Sequence, residues 1–208
     1  LEGYGPEVKI YIMLHSPGKT NLKDYIQIRD LLEKEGIKVN GISTNSCDTL
    51  SLYLKDFDIK EIQLALNPID LIASEKLLVL CNKLFLKVMA RSVLASGLLT
   101  KNSWNLNTPK SGLIKGKFWK NLKTRNVLKE RIRARNDIYN FWLQNNGQES
   151  FESFIIQLIG NLNIVDSIIV GGSNFEQFNA NLNLKEKISC KTIEAFWLKK
   201  NKWKGPYL

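Results

Sequence analysis

The sequence ARSVLASGLLT, residues 90–100, follows an apolar run over residues 84–89 that predicts a buried strand. The small hydroxyl residues and Gly97 then predict a sharp turn at the carboxyl end of that strand. Such a turn presents backbone N–H groups and hydroxyls, and α/β folds bind phosphate groups at this position. The stretch therefore predicts an α/β protein with an anion site at the end of this strand.

Strand-like and helix-like segments alternate on both sides of this stretch. Strands are predicted at residues 9–14, 37–42, 61–66, 84–89 and 165–170. Helices are predicted at residues 21–35, 46–55, 74–84, 118–143, 151–162, 174–184 and 187–200, with Asn21, Ser74 and Ser150 as N-caps. This alternation predicts right-handed βαβ units and a parallel sheet. A doubly wound sheet and a (β/α)₈ barrel both satisfy the pattern.

The composition is that of an ordinary globular protein. The chain has 208 residues, of which 44% are hydrophobic and 24% charged, enough for one sizeable core. It contains no apolar run near the ~20 residues of a membrane span and no secretory signal. Its three cysteines are widely spaced and form no metal-type pair, so we expect no metal site and a cytoplasmic, reducing location.

The formal net charge of +10 favours anionic ligands, although it can equally serve solubility. The basic residues are concentrated at Lys115, Lys117, Lys120, Lys123, Arg125, Lys129, Arg131, Arg133 and Arg135, interleaved with Phe118 and Trp119. A nucleic-acid-binding helix has this composition. No known nucleic-acid motif accompanies it, however, so a solvated basic face is the preferred interpretation and no nucleic-acid partner is expected.

Five segments, taken in order, resemble the aldo/keto reductases, which are NAD(P)H-dependent (β/α)₈ barrels. They are Leu14-His15-Ser16-Pro17, Gly41-Ile42-Ser43-Thr44, Ile62-Gln63-Leu64-Ala65-Leu66-Asn67, the 90–100 stretch, and the glycine turn with its helix over residues 168–182. The resemblance covers His15 to Asn181 and corresponds to strands four to eight of the family's barrel.

The resemblance implies a catalytic role for His15, the only histidine of the chain. The family uses a histidine at this position in its catalytic tetrad. There it orients the carbonyl oxygen while a hydride passes from the nicotinamide to the carbonyl carbon. The alternative is a loop histidine before a proline with an ordinary hydrogen-bond partner.

The resemblance also implies that three residues hold the nicotinamide carboxamide. Ser43 and Gln63 match the family's serine and glutamine, and Thr44 stands where asparagine is usual. The alternative for Ser43 and Thr44 is the N-terminal region of the following helix, which Ser46 can also cap. The alternative for Gln63 is a backbone partner within the sheet.

The remaining cofactor residues are implied by the last two segments. Arg91 stands where an aromatic residue stacks on the nicotinamide, and a guanidinium can stack in the same way. The resemblance places the pyrophosphate near Ser92, Leu94 and Ser96, and the adenosine phosphate and adenine near Gly171, Gly172, Ser173, Gln177 and Asn181. NADP-preferring members carry Lys and Arg where this chain has Gly171 and Gln177, so we expect binding of NADP or NAD without a strong NADP preference.

The family's first half, which supplies the Asp, Tyr and Lys of the tetrad, has no counterpart here. The chain also begins with Leu1, so we interpret it as one N-terminally truncated domain over residues 1–208. It is expected to be part of a barrel that reduces an aldehyde or ketone to an alcohol, and to be inactive alone. Two alternatives stay open: a non-catalytic nucleotide-binding relative acting as a sensor or interaction module, and an unrelated basic α/β nucleic-acid-binding protein. The sequence indicates neither the substrate nor the oligomeric state.

Overall fold

In the described part of the chain, five parallel strands alternate with helices, and their order in the sheet follows their order in the sequence. The computed structural model describes residues 12–101, 122–145, 149–172, 174–182 and 188–200. The strands are β1 (Ile12–His15), β2 (Val39–Ser43), β3 (Glu61–Ala65), β4 (Lys87–Arg91) and β5 (Ser167–Ile168). The helices are α1 (Leu22–Lys34), α2 (Cys47–Tyr53), α3 (Leu71–Lys83), α4 (Leu122–Asn145), α5 (Phe151–Gly160), α6 (Phe175–Leu182) and α7 (Cys190–Lys200).

The chain divides into two compact units, which we describe separately. The first unit comprises residues 1–64 and 76–89, and the second comprises residues 65–75 and 90–208. Within the described part of both units, no helix is long and apolar enough to cross a bilayer.

The first unit is built on the parallel pairing of β1, β2 and β3. Leu14 lies opposite Ile42, which lies opposite Ile62, and all three side chains are buried. Gly41 permits close packing here, because a Cβ at this position would lie 2.6 Å from Cγ of Met13. The register therefore places apolar side chains in the core. It also determines which residues of neighbouring strands lie opposite each other.

The second unit has an aromatic core formed by α4, α5 and α7 with the turn after β4. Phe196 stacks edge-on against Phe141 and Phe154, with ring centroids 5.3 and 6.0 Å apart. Leu98 and Leu99 of the turn belong to the same buried cluster. The turn that follows β4 is thus anchored on its apolar side by the unit's main core.

The predicted boundaries were wrong in two places around α3. The helix begins at Leu71 rather than after Ser74, because the Asn67 side chain accepts hydrogen bonds from the backbone N–H groups of Ile69 and Asp70 and so starts the helical turn earlier. Strand β4 begins at Lys87, and Phe85, predicted to lie in a buried strand, is 93% exposed with φ of +53°. Its left-handed conformation ends α3 and prevents it from joining the strand.

Other boundaries differ by a few residues. The strand predicted at residues 165–170 is reduced to Ser167–Ile168, and Asn21 does not cap α1, because its side-chain oxygen accepts from the Thr20 hydroxyl instead. The cap at Ser150 is confirmed, since its hydroxyl oxygen accepts from the Ser153 N–H at 3.0 Å. The first residues of the predicted basic helix, 118–121, lie outside the described residues, and α4 is described from Leu122.

Candidate functional site

His15 is the last residue of β1 and its side chain is exposed. It lies opposite Ser43, which ends β2, and Ser43 lies opposite Gln63 in β3. The three residues are therefore neighbours across three adjacent parallel strands. The structure brings together at one place the residues that the sequence assigned to the carbonyl and to the carboxamide.

Ser43 and Gln63 are joined by a side-chain hydrogen bond. The Ser43 hydroxyl, which is buried, donates to Oε1 of the half-buried Gln63 over 3.1 Å. This bond fixes the orientation of the Gln63 amide, because its oxygen has to face Ser43. The hydrogen bond thereby orients the Nε2 hydrogens of Gln63 and the lone pairs of Ser43 Oγ.

Thr44 has a local structural contact. Its hydroxyl oxygen accepts from the Ser46 N–H at 3.1 Å, and its own N–H donates to the Gln63 carbonyl at 3.1 Å. Ser46 in turn caps α2, accepting from the Thr49 N–H. The local role that the sequence allowed for Thr44 is thus present in the structure, where the residue shapes the turn from β2 into α2.

Tyr53 supports the loop that follows His15, a role that the sequence did not reveal. Its fully buried ring lies at the end of α2, and its hydroxyl donates to the Gly18 carbonyl at 2.9 Å. Burial, with a smaller contribution from Tyr25, raises the pKa of Tyr53. The signal was present in the helical spacing of Leu50 and Tyr53, which places both side chains on the buried face of α2.

In the second unit, the turn after β4 is formed by residues in left-handed conformations. Ser92, Ala95, Ser96 and Gly97 have φ values of +54°, +49°, +56° and +91°. Non-glycine residues rarely adopt this conformation, and turns that combine right- and left-handed residues form concave arrays of backbone N–H groups that suit anions. Two of these N–H groups are already used, since Ala95 donates to the Ser92 carbonyl and Gly97 to that of Leu94.

The predicted residues of this turn occupy different surroundings. Ser96 is exposed, Ser92 is half-buried, and the half-buried side chain of Leu94 packs against the core while its carbonyl accepts from Gly97 and Leu99. Arg91 ends β4, and its Nε atom is buried and has no hydrogen-bond partner among the described residues. A buried guanidinium nitrogen without an acceptor is costly, so this atom is suited to a ligand that supplies one.

The turn between β5 and α6 gathers three of the other predicted residues. Asn181 of α6 donates from Nδ2 to the Gly171 carbonyl at 3.2 Å, and Gly172 has no room for a side chain because a Cβ would lie 2.7 Å from the Phe178 nitrogen. Asn174 caps α6 by accepting from the N–H of Gln177, whose side chain is exposed. Ser173 lies outside the described residues.

In the described part of the basic segment, not every basic side chain lies on a solvated face, contrary to the sequence interpretation. The side chains of Lys115, Lys117, Lys120, Lys123 and Arg125 lie outside this part. Arg131 of α4 pairs with both carboxylate oxygens of Asp70, and both side chains are about four-fifths buried. Arg135 is also buried, and burial lowers its pKa. Lys129 and Arg133 are exposed on the same helix. The helix therefore turns part of its basic residues inward, a placement that residue composition alone does not show.

Neither the cysteines nor the acidic residues form a further cluster in the described segments. Cys47, Cys81 and Cys190 are free thiols, and burial, followed by the influence of Cys47, raises the pKa of Cys81 to about 11. Within these segments no group of three or more His, Cys, Asp or Glu residues is placed to hold a metal ion.

Comparison with known proteins identifies the family. The model of the aldo/keto reductase family matches residues 11–196, which is most of the chain, and the chain therefore belongs to that family. No curated protein gives a significant match.

Solved structures agree with this assignment at the level of the fold. The glycerol dehydrogenase AKR11B4 from Gluconobacter oxydans superposes with a TM-score of 0.69 at 15% identity, covering 95% of this chain and 60% of that one. An aldo/keto reductase from Klebsiella pneumoniae in complex with NADP and acetate gives 0.61 at 16% identity, with 95% and 60% coverage. The holo form of aldo-keto reductase AKR11C1 from Bacillus halodurans gives 0.60 at 17% identity, with 90% and 59% coverage.

These values confirm the predicted fold class, a partial (β/α)₈ barrel of about five βα units. The chain spans about 60% of the length of the structures that it matches.

Proposed function

We propose that this chain is the carboxyl-terminal part of an aldo/keto reductase that uses NADPH or NADH to reduce an aldehyde or ketone to an alcohol. The observation that carries the proposal is the side-by-side placement of His15 and Ser43, which end β1 and β2, with Gln63 opposite Ser43 within β3 and bonded to its hydroxyl. These are the residue types, in the order, that the family uses. The proposal treats residues 1–208 as one domain, located in the cytoplasm, where its free thiols stay reduced.

The donor and acceptor groups fit a nicotinamide cofactor. With its oxygen held by the Ser43 hydroxyl, Gln63 presents N–H donors and Ser43 presents lone pairs, which a primary carboxamide can satisfy with its own oxygen and N–H. In the second unit, Arg91 offers a buried Nε that no described residue pairs with, and the turn with Ser92, Leu94 and Ser96 offers backbone and hydroxyl groups for phosphate oxygens. Gly171, Gly172, Ser173, Gln177 and Asn181 are assigned to the adenosine end, with Thr44 contributing beside Ser43.

The chemistry assigns His15 to the carbonyl oxygen. When bound, the cofactor supplies a hydride to the carbonyl carbon of the substrate. The oxygen then gains negative charge, and a donor placed at that oxygen lowers the barrier. The exposed imidazole of His15 at the end of β1 can donate to it. Tyr53 keeps the loop after His15 in place through the Gly18 carbonyl.

The chain is expected to need a proton donor that it does not itself contain. The family's Tyr, with its Lys and Asp, has no matching motif here, and general acid catalysis is typically worth ~10²–10⁴-fold in rate. NAD(P)H oxidation should therefore be negligible when the 208-residue chain is mixed with a panel of aldehydes and ketones. Robust turnover by the chain alone would contradict this assignment.

The catalytic role of His15 is tested in a form of the protein extended by the three preceding βα units. We expect this form to reduce carbonyl compounds, and His15→Ala to lower kcat by about 10²-fold, in line with loss of a group acting at the reacting oxygen. Ser16→Ala, at the neighbouring exposed residue, is the control. If His15→Ala behaves like Ser16→Ala, the catalytic assignment is wrong.

The cofactor preference is expected to be weak. Gly171 and Gln177 stand where the family's NADP-preferring members carry cations, so the 2′-phosphate should find little charge there. Fluorescence titration of the extended form with NADPH and NADH should give Kd values within about a hundredfold of each other, roughly 2.7 kcal/mol. A larger NADPH preference would show that other residues bind the phosphate.

A second candidate is a non-catalytic relative that binds the nucleotide as a sensor or interaction module. The partial coverage of the matched structures, 60%, is compatible with it, since the resemblance finds no counterpart of the tetrad's Asp, Tyr and Lys in this chain. Nucleotide binding without turnover in the extended form would support this candidate over the reductase.

A further inference from the structure

We propose that Arg131 is a positioning residue for the turn that follows β4, acting through Asp70, Asn67 and Leu66. The proposal rests on the proposed function in one respect, since it takes this turn as part of the nucleotide site. All the residues involved belong to the second unit.

The first link is the ion pair between α4 and the residues that precede α3. Arg131 donates from both terminal nitrogens to the two oxygens of Asp70, with Nη2 to Oδ2 at 2.8 Å. A bidentate pair of this kind fixes angle as well as distance. Because the side chains are only 19% and 21% exposed, solvent competes weakly for either partner.

The second link runs from Asp70 to Asn67. Asp70 Oδ2 also accepts from Nδ2 of Asn67 at 3.0 Å, and Asn67 Oδ1 accepts from the N–H groups of Ile69 and Asp70, each at 3.1 Å. Asn67 is 2% exposed and its amide uses both its donor side and its acceptor side within this turn. The carboxylate held by Arg131 thus closes a hydrogen-bonded ring that determines the conformation of residues 67–70.

The third link reaches the nucleotide turn. Leu66, directly before Asn67 and fully buried, donates its N–H to the Arg91 carbonyl at 3.0 Å. Arg91 is followed by Ser92, where the left-handed conformations begin. Displacing Leu66 would therefore displace the peptide that starts the turn, together with Arg91, whose buried Nε has no partner in the described segments.

Packing couples the same elements a second time. Ile69 lies in the buried cluster with Leu98 and Leu99 of the turn and with Ile138 of α4. The polar ring and the apolar cluster therefore lie on the same three segments. The ion pair decides the position of the 66–70 segment, and the cluster keeps the turn against it.

The test uses the full 208-residue chain and two site-resolved readouts. The variant is Arg131→Gln, and the control is Arg133→Gln, which removes the same charge from an exposed position of the same helix. We expect Arg131→Gln to accelerate amide hydrogen exchange at Leu66 and Asp70 by at least about tenfold, and Arg133→Gln to leave these rates within about twofold. The Thr44 amide, bonded within the first unit, serves as an internal reference.

The second readout is nucleotide affinity, measured by NMR titration of the amides of residues 92–97 with NADPH. Arg131→Gln should raise Kd by about tenfold. Arg131→Lys keeps the charge but cannot form the bidentate pair, so its Kd should lie between those of Arg131→Gln and the wild type. Asp70→Asn provides an independent variant of the same pair, and should match Arg131→Gln in both readouts.

The outcomes separate this proposal from the function on which it rests. A wild-type chain with no NADPH response at residues 92–97 overturns the assignment of this turn to the nucleotide and the positioning role with it, whereas failure of the proposed function is seen as absence of turnover by the extended form. A wild-type chain that binds, with Arg131→Gln indistinguishable from Arg133→Gln in either exchange or affinity, overturns the positioning role alone.

Discussion

The two groups of predicted site residues are held by different means. In the first unit, His15, Ser43 and Gln63 lie on three regular adjacent strands, the first two at strand ends, and a side-chain hydrogen bond joins Ser43 to Gln63. In the second unit, the turn after β4 depends on backbone conformation, with four of its residues at positive φ. The geometry of the first region depends on which side chains stand at a few positions. The geometry of the second depends on a backbone conformation that several sequences can adopt at a cost in free energy.

This difference predicts how each region responds to mutation. Removing a methylene or a hydroxyl from a strand end changes one interaction and leaves the strand in place. Adding a Cβ at a left-handed position changes the backbone energy itself, whatever the space around it. Substitutions of these two kinds therefore compare the two regions directly.

Gly97→Ala should have the largest effect among these substitutions. Gly97 has φ of +91° and nothing lies within 4 Å of the position that a Cβ would occupy, so the cost is backbone strain without a clash. We expect a loss of about 1–2 kcal/mol in the free energy of unfolding, measured by urea denaturation.

Gly171→Ala is the matched control for this experiment. Its Cβ would also meet nothing within 4 Å, but Gly171 has no positive φ. The change should stay within about 0.5 kcal/mol. Equal effects of the two substitutions would mean that the turn after β4 does not depend on its left-handed residues.

Ser43→Ala tests the side-chain region and should cost less. It removes the donor to Gln63 Oε1, and we expect a loss of about 1 kcal/mol because the half-buried Gln63 can recover part of the bond from water. A double-mutant cycle with Gln63→Ala isolates the pair. Additive single effects would show that the observed hydrogen bond contributes nothing to stability.

The sequence allowed the first region to be predicted better than the second. Strand ends follow from the apolar runs, and parallel pairing then places His15, Ser43 and Gln63 side by side. Ser92, Ala95 and Ser96 carry no sequence signal for positive φ, since glycine is the residue that indicates this conformation. The turn at Ser96–Gly97 was predicted from composition, but its left-handed path was not.

Polar contacts between residues far apart in the chain were also not predicted from the sequence. Arg131 and Asp70 are 61 residues apart, and nothing in a run of basic residues marks which one is turned inward. Tyr53 was likewise predicted only as part of a helix, although its hydroxyl contacts Gly18, 35 residues away. Such pairs depend on how helices pack on the sheet, which hydrophobic periodicity constrains only by face.

Tyr53→Phe tests the support of the loop after His15 and should have the smallest effect at neutral pH. It removes the hydrogen bond to the Gly18 carbonyl but keeps the ring packed against Phe57, so we expect a loss of about 0.5–1 kcal/mol. Tyr25→Phe, whose ring contacts Tyr53 edge-on, is the control and should stay within about 0.5 kcal/mol.

The same variant should change the alkaline pH dependence of stability. Because the pKa of Tyr53 is raised in the folded chain, the unfolded chain loses the phenol proton first as the pH rises above about 10, and wild-type stability falls from there until the folded pKa is passed. Cys81, with a pKa raised to about 11, contributes a fall of the same sign in an overlapping range, so the informative quantity is the difference between wild type and Tyr53→Phe. Urea denaturation at several pH values should show this difference constant up to about pH 9 and shrinking above pH 10, as the wild type loses the contribution that the variant lacks. A difference that stays constant through that range would show that the Tyr53 hydroxyl is solvated rather than held against Gly18.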